Sequence, residues 1–395
     1  MTLSRRSFLS GAVGCSLAAS PLVTPVAFAA APWDTRLVVI ILRGGADGLD
    51  IVQPYGDPNL AGLRRSLSVG PEGGALDLDG FFALHPALAP LMPMWQRGQL
   101  GFAHAVSTPY RDKRSHFDGQ DMLEAGTDTL DGGVRDGWLN RMLQVLPGVE
   151  ADTAYAIGQG QLQVLHGAAP VANWAPEADL TLSPQAIKLL DLVMERDPEL
   201  HAALAEARML DEDRGDMGNF NAQMRKLRRG GAQHVQVAEF AAKRLRADAR
   251  IAAFSLNGWD THRFQEGGLN KALARLADTL VSLETGLAET WKRTAVIAMT
   301  EFGRTARENG TRGTDHGTGG LMIMAGGAVR GGRVIGAWPG LAEADLYQRR
   351  DLMPTRDVRA HAAWMMRAAT GLERSVLERT VFPGLDMGRD PGLLL

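Results

Sequence analysis

Residues 36–42 read Arg-Leu-Val-Val-Ile-Ile-Leu, and one residue later the chain meets the pair Gly44-Gly45. A strand with one wet face alternates polar and apolar residues. An unbroken β-branched run is instead a strand buried on both faces, the kind found in the middle of parallel sheets. Similar runs occur at 250–256, 294–299 and 321–325, each bounded by polar or glycine-containing sequence. Between the runs, apolar residues return at intervals of three and four over 184–209, 235–247, 269–291 and 357–370, which is helical spacing. Strand, helix and strand in this order predict an α/β fold with a mainly parallel central sheet flanked by helices. A single domain over 30–395 is expected, with a helical insertion around 184–247.

Residues 1–29 stand apart from this pattern. Ser4-Arg5-Arg6-Ser7-Phe8-Leu9 precedes an apolar, charge-free stretch that ends at Ala27-Phe28-Ala29, a small-x-small cleavage pattern. Paired arginines in that setting read as a twin-arginine export signal. The translocase of that pathway is then a partner during export, and the periplasm or the exterior is the destination. Pro21 and Pro25 interrupt the apolar stretch, so a stable membrane anchor is not expected. The one cysteine, Cys15, lies inside the signal, which leaves the mature chain without disulfides, a thiol nucleophile or a cysteine-held cluster. Cleavage also removes two positive and no negative charges, moving the net charge from −3 to −5 and arguing against nucleic acid as a partner.

Chemistry gathers where strands end, because the carboxyl ends of parallel strands share one edge of the sheet. Gly44-Gly45-Ala46-Asp47-Gly48 follows the first run, Asn257-Gly258-Trp259-Asp260-Thr261-His262 the second, and Thr300-Glu301-Phe302-Gly303-Arg304-Thr305 the third. Gly313-Thr314-Asp315-His316-Gly317 comes just before the last. Carboxylates together with neutral imidazoles suit a divalent metal, so Asp47, Asp260, His262, Glu301, Asp315 and His316 form a candidate ligand set for one or two ions. This donor set does not distinguish zinc, manganese, iron, calcium or magnesium. His85, His104, His166, His201, His234 and His361 lack such settings and are read as ordinary polar or half-buried histidines. Arg111-Asp112-Lys113-Arg114-Ser115-His116 supplies a candidate nucleophile in Ser115, which is also a good N-cap for a helix beginning near His116.

These segments, together with Ser115-His116-Phe117-Asp118 and the export signal, resemble the bacterial family called domain of unknown function 1501 over almost the whole mature chain. That family in turn resembles the alkaline phosphatase and sulfatase superfamily, which transfers phosphoryl or sulfuryl groups at a metal site on strand ends. The resemblance implies an alkaline-phosphatase-like fold. It matches Asp47 to the first-strand carboxylate and Ser115 to the nucleophile. Asp260, His262 and His316 correspond to the ligands of one metal, and Glu301 stands where an Asp-His pair holds a second. Phe302 departs from that pair, and a single residue separates Asp260 from His262 where phosphatases space them more widely. A second alignment makes Asp315-His316 the Asp-His pair.

The expected function is metal-dependent hydrolysis of a small phosphate or sulfate ester outside the cytoplasm. Arg111, Arg114 or Arg304 would stabilise negative charge, Ser115 would attack or orient water, and His116 or His262 would carry a proton. The alternative is a noncatalytic periplasmic binding or assembly protein that keeps the fold. A redox enzyme is disfavoured, since the mature chain offers neither a cysteine cluster nor a strand-linked dinucleotide fingerprint. The export reading is tested directly by fusing residues 1–35 to a folded reporter. Transport should depend on the twin-arginine translocase and stop when Arg5 and Arg6 are both replaced by lysine, because a receptor reads the pair and not merely its charge. Undiminished export of the lysine variant would contradict it.

Overall fold

The computed structural model describes residues 33–130, 133–158, 162–176 and 233–395. The expected export signal, the helical pattern at 184–209 and most of the expected insertion lie outside the described residues. Among the described residues twelve strands are formed: β1 Arg36–Arg43, β2 Val52–Gln53, β3 Leu76–Asp77, β4 Ala83–Leu84, β5 Leu100–Ser107, β6 Ala154–Ile157, β7 Ala172–Trp174, β8 Ile251–Asn257, β9 Thr294–Thr300, β10 Gly320–Ala325, β11 Val334–Ile335 and β12 Arg356–Asp357. The helices that matter here are α1 His116–Ala125, α2 Trp138–Val145, α3 Gln233–Arg246, α4 Gln265–Leu287 and α5 Val358–Thr370. All four apolar runs are strands of one sheet, ordered β11-β5-β10-β9-β1-β8-β6-β7, with β12 also on β5. A small sheet, β2-β4-β3, lies apart.

The strand β1 is the spine. It pairs in parallel with β8 on one side and β9 on the other, with Ile40 opposite Phe254 and Ala298. Successive side chains of a strand point to opposite faces, and both faces here are covered. Val38, Ile40 and Leu42 join a core with Leu245 of α3 and Leu273, Leu276 and Leu280 of α4. Leu37, Val39 and Ile41 join a second core with Leu139 of α2, Met365 of α5 and Phe382. This double burial is what the unbroken apolar run required. No helix among the described residues is long and apolar enough to cross a membrane.

One long strand runs against the rest: β10 is antiparallel to both β9 and β5. The reason is the connection, since residues 301–319 contain no helix to carry the chain back across the sheet, as a parallel neighbour would require. The chain stays on the edge where β9 ends and re-enters the sheet from there. Residues just before β10 therefore share an edge with residues just after β1, β8 and β9. Helix boundaries follow the sequence closely, with Ser115 capping α1 and Asp357 capping α5.

Because Ile40 is fully buried at the centre of the spine, Ile40→Ala should lower unfolding free energy by about 2–5 kcal/mol. Exposed Glu289→Ala should change it by less than about 0.5 kcal/mol in the same denaturant titration. Equal midpoints for the two variants would contradict the placement of β1.

Candidate metal centre

The sharp turn after β1 sets the geometry. Gly44 and Gly45 adopt φ of +124° and +67°, and a Cβ on Gly44 would lie 2.6 Å from the backbone nitrogen of Asp260, so the loops after β1 and β8 touch only because no side chain intervenes. From the second of those loops come Asp260 and His262. The reversed strand β10 brings Asp315 and His316 to the same edge, and the first residue of α1 brings His116.

Three imidazoles converge on the carboxylate of Asp260. Its Oδ2 lies 3.3 Å from His116 Nε2, and its Oδ1 lies 3.0 Å from His262 Nε2 and 3.2 Å from His316 Nε2. The last two nitrogens are 2.9 Å apart. Each ring is held from its other side: His116 Nδ1 by Glu301 Oε1 at 2.9 Å, His262 Nδ1 by Asp315 Oδ1 at 3.2 Å, and His316 Nδ1 by the Arg114 carbonyl at 2.9 Å. Carbonyl and carboxylate oxygens only accept, so a neutral ring that donates from Nδ1 to these partners is left with its Nε2 lone pair on the Asp260 side, available to a cation. That arrangement, a carboxylate or carbonyl behind each imidazole, is how proteins orient histidines toward a metal.

A divalent cation fits this set. His116 Nε2 is buried and finds no hydrogen-bond partner, an orphan that a bound ion satisfies. Ligand atoms of His116, Asp260 and His316 all lie within 4.8 Å of one another. The 3.2–3.3 Å separations of His116 and His316 Nε2 from Asp260 oxygens are close to the roughly 3.3 Å edge of a tetrahedron with ligands about 2.05 Å from its centre, and His262 flanks this group of three, its Nε2 2.9 Å from that of His316. The side chains of Asp260 and His262 remain 45% and 41% exposed, which leaves the cluster open to a solute from that side.

The charges agree with this reading. Burial alone would raise the Glu301 carboxyl, which is 0% exposed, but hydrogen bonds from His116, Gln120 and the Gly44 N–H hold it below its usual range. The hydrogen bond to Glu301 pushes His116 up, whereas burial pushes His316 down. Asp260 is held low against its burial by Arg304, which donates to its Oδ1 at 2.6 Å.

The expected ligands thus fall into three groups. Asp260, His262 and His316 meet with His116, a residue the sequence offers as a proton carrier. Glu301 and Asp315 stand behind the imidazoles. Asp47 faces away: 1% exposed, it is bound by both terminal nitrogens of Arg64, at 2.5 and 3.1 Å, and by Gln265 Nε2 at 2.6 Å. Arg304 lies beneath the loops, bonded to the carbonyls of Gly44, Gly45, Trp259 and Thr314 as well as to Asp260. Arg111 bonds the Thr108 and Tyr110 carbonyls, and Arg114 is exposed at the rim. Ser115 Oγ accepts from the Asp118 N–H at 3.4 Å as the cap of α1. His104 and His361 are buried elsewhere and burial pushes them down to about 4 and about 3.

Three contributors escaped the sequence reading. Gln120 stands four residues after His116, on the same face of α1, and donates to the same Glu301 oxygen at 3.1 Å. Asn309 donates to Asp315 at 3.0 Å, and Phe302 stacks on His116 with ring centres 5.1 Å apart. The i to i+4 spacing of His116 and Gln120 was a usable signal; Asn309 offered none.

Residues 34–366 match the family described as protein of unknown function (DUF1501). Comparison with curated proteins finds no match. Among solved structures, the chain is similar to the C-terminal periplasmic domain of EcEptC from Escherichia coli, with 10% identity, 91% of this chain and 92% of that one covered, and a TM-score of 0.39. It is also similar to the lipoteichoic acid synthase LtaP from Listeria monocytogenes, with 8% identity, 70% and 58% covered, and a TM-score of 0.32. A mutant of TAB5 alkaline phosphatase with Mg bound gives 11% identity, 74% and 91% covered, and a TM-score of 0.33. The family match takes in every strand of the sheet and every side chain of the cluster, and the chain therefore belongs to the DUF1501 family.

Proposed function

We propose that this protein is an exported hydrolase of a phosphate or sulfate ester, dependent on a divalent cation held by His116, Asp260, His262 and His316. The observation that carries the proposal is the convergence of three imidazole Nε2 atoms on one carboxylate, each ring fixed from behind. When bound, the cation supplies positive charge to an anionic ester oxygen and acidifies water. Asp260 and His262 line the open side, through which a small anionic ester reaches the cluster. Ser115 is adjacent to His116, and its loop is pinned to the centre by the bond from His316 to the Arg114 carbonyl. Its hydroxyl accepts the long contact from the Asp118 N–H and also meets the Tyr110 hydroxyl, so attack on an ester requires it to turn away from both. Arg114 at the rim is the arginine of the three best placed to meet the ester's charge, since Arg111 and Arg304 are committed to backbone carbonyls.

That same commitment favours a second reading, a metal-binding protein without turnover. Ser115→Ala separates the two. If Ser115 attacks, the variant should lose hydrolysis of a generic aryl phosphate or sulfate while keeping its metal and losing only about 0.5–2 kcal/mol of stability as a missing cap. Retained activity would contradict attack by Ser115, and wild-type protein that binds metal yet cleaves neither ester with any of several divalent ions would favour the binding reading. The ligand assignment has its own test. Purified protein should take up about one zinc per chain, and a folded His262→Ala/His316→Ala variant should take up none. Full zinc content in that variant would remove both histidines from the site.

A further inference from the structure

We infer that Gln265, which neither touches the cluster nor titrates, is a positioning residue that sets the distance between the two loops carrying Asp260, His262 and His316. The inference rests on the metal reading of those side chains. Gln265 is the first residue of α4 and its side chain is 0% exposed. Its Oε1 accepts from the Thr261 hydroxyl at 3.0 Å and from the Thr314 hydroxyl at 2.6 Å. Its Nε2 donates to Asp47 Oδ2 at 2.6 Å and to Asp50 Oδ2 at 2.8 Å. Carboxylates only accept, so the amide can sit one way round, and in that orientation both N–H groups and both lone pairs are used.

The partners explain what this does. Thr261 lies between Asp260 and His262, and Thr314 immediately precedes Asp315-His316. One amide oxygen therefore bridges the β8–α4 loop to the loop before β10, and the Thr314 N–H to the Thr261 carbonyl at 3.2 Å closes the same bridge. The amide nitrogen anchors that bridge to the β1 loop through Asp47, itself forked by Arg64, whose other bonds run to the Thr305 and Ala306 carbonyls. Asp47 thereby serves the centre from a distance, through Gln265.

Zinc affinity by competition with a chromophoric chelator, and the visible spectrum of cobalt-loaded protein, should be measured for the wild type, Gln265→Leu, Thr314→Val and Thr314→Ser. Losing an outer partner of a metal site typically weakens binding about 10–100-fold, and Gln265→Leu and Thr314→Val should fall in that range with altered cobalt bands. Thr314→Ser keeps the hydroxyl and should restore both toward wild type. A merely structural glutamine would lower the melting temperature of metal-free protein and leave affinity and spectrum unmoved, and that result would overturn the inference. Thr314→Val preserves shape, so it decides the matter even where Gln265→Leu fails to fold. Wild-type protein that binds no zinc would overturn the metal reading and this inference together, whereas wild-type binding with unmoved folded variants overturns the positioning role alone.

Discussion

Arg304 is the side chain on which the candidate site depends. It is 1% exposed, and its guanidinium makes five hydrogen bonds: to the carbonyls of Gly44, Gly45, Trp259 and Thr314, and to Asp260 Oδ1. A buried guanidinium is costly unless its charge is met and its donors are satisfied. Here both conditions are fulfilled by the loops that build the site, so the loops after β1 and β8 and before β10 are held together by one cation. The single carboxylate in that set is Asp260, on which the three histidines converge. Positive charge below Asp260 keeps it ionised and fixes one of its oxygens.

A second buried ion pair, Arg64 with Asp47, supports the same edge from further inside. Removing one partner of such a pair is expected to cost about 3–5 kcal/mol, because the other charge is left uncompensated. The two pairs divide the work. Arg304 holds the carboxylate on which the three histidines converge, while Arg64 holds the carboxylate that Gln265 uses as its anchor. Phe302 completes the support: buried and stacked on His116, it occupies the position after Glu301 and sets the ring plane that Glu301 and Gln120 then fix in rotation.

The architecture was legible in the sequence because burial on both faces leaves a signature that needs no partner to interpret. Residues 37–42 could only be a central strand, and the structure splits them alternately between two cores. The direction of β10 was not legible, since an apolar run buried on both faces reads the same either way. The reversal shows only in the structure, where residues 301–319 form no helix and β10 pairs antiparallel with β9 and β5. At the site, residue type located the cluster and could not assign roles within it. A carboxylate that binds a metal and one that orients a histidine have identical sequence signatures, so Glu301 and Asp315 are told apart from Asp260 only by which imidazole nitrogen they face. Arg304 looked like an arginine for a substrate's charge because sequence shows charge and not burial, and Gln265 lies in no motif at all.

The central claim is that His116, His262 and His316 present Nε2 to one ion beside Asp260. X-ray absorption at the zinc edge of zinc-loaded protein tests it most directly. The account predicts three imidazole ligands at about 2.0–2.1 Å with an oxygen donor completing the shell, and loss of one imidazole contribution in His116→Ala. A zinc shell made mainly of oxygen, or a spectrum unchanged in His116→Ala, would contradict it.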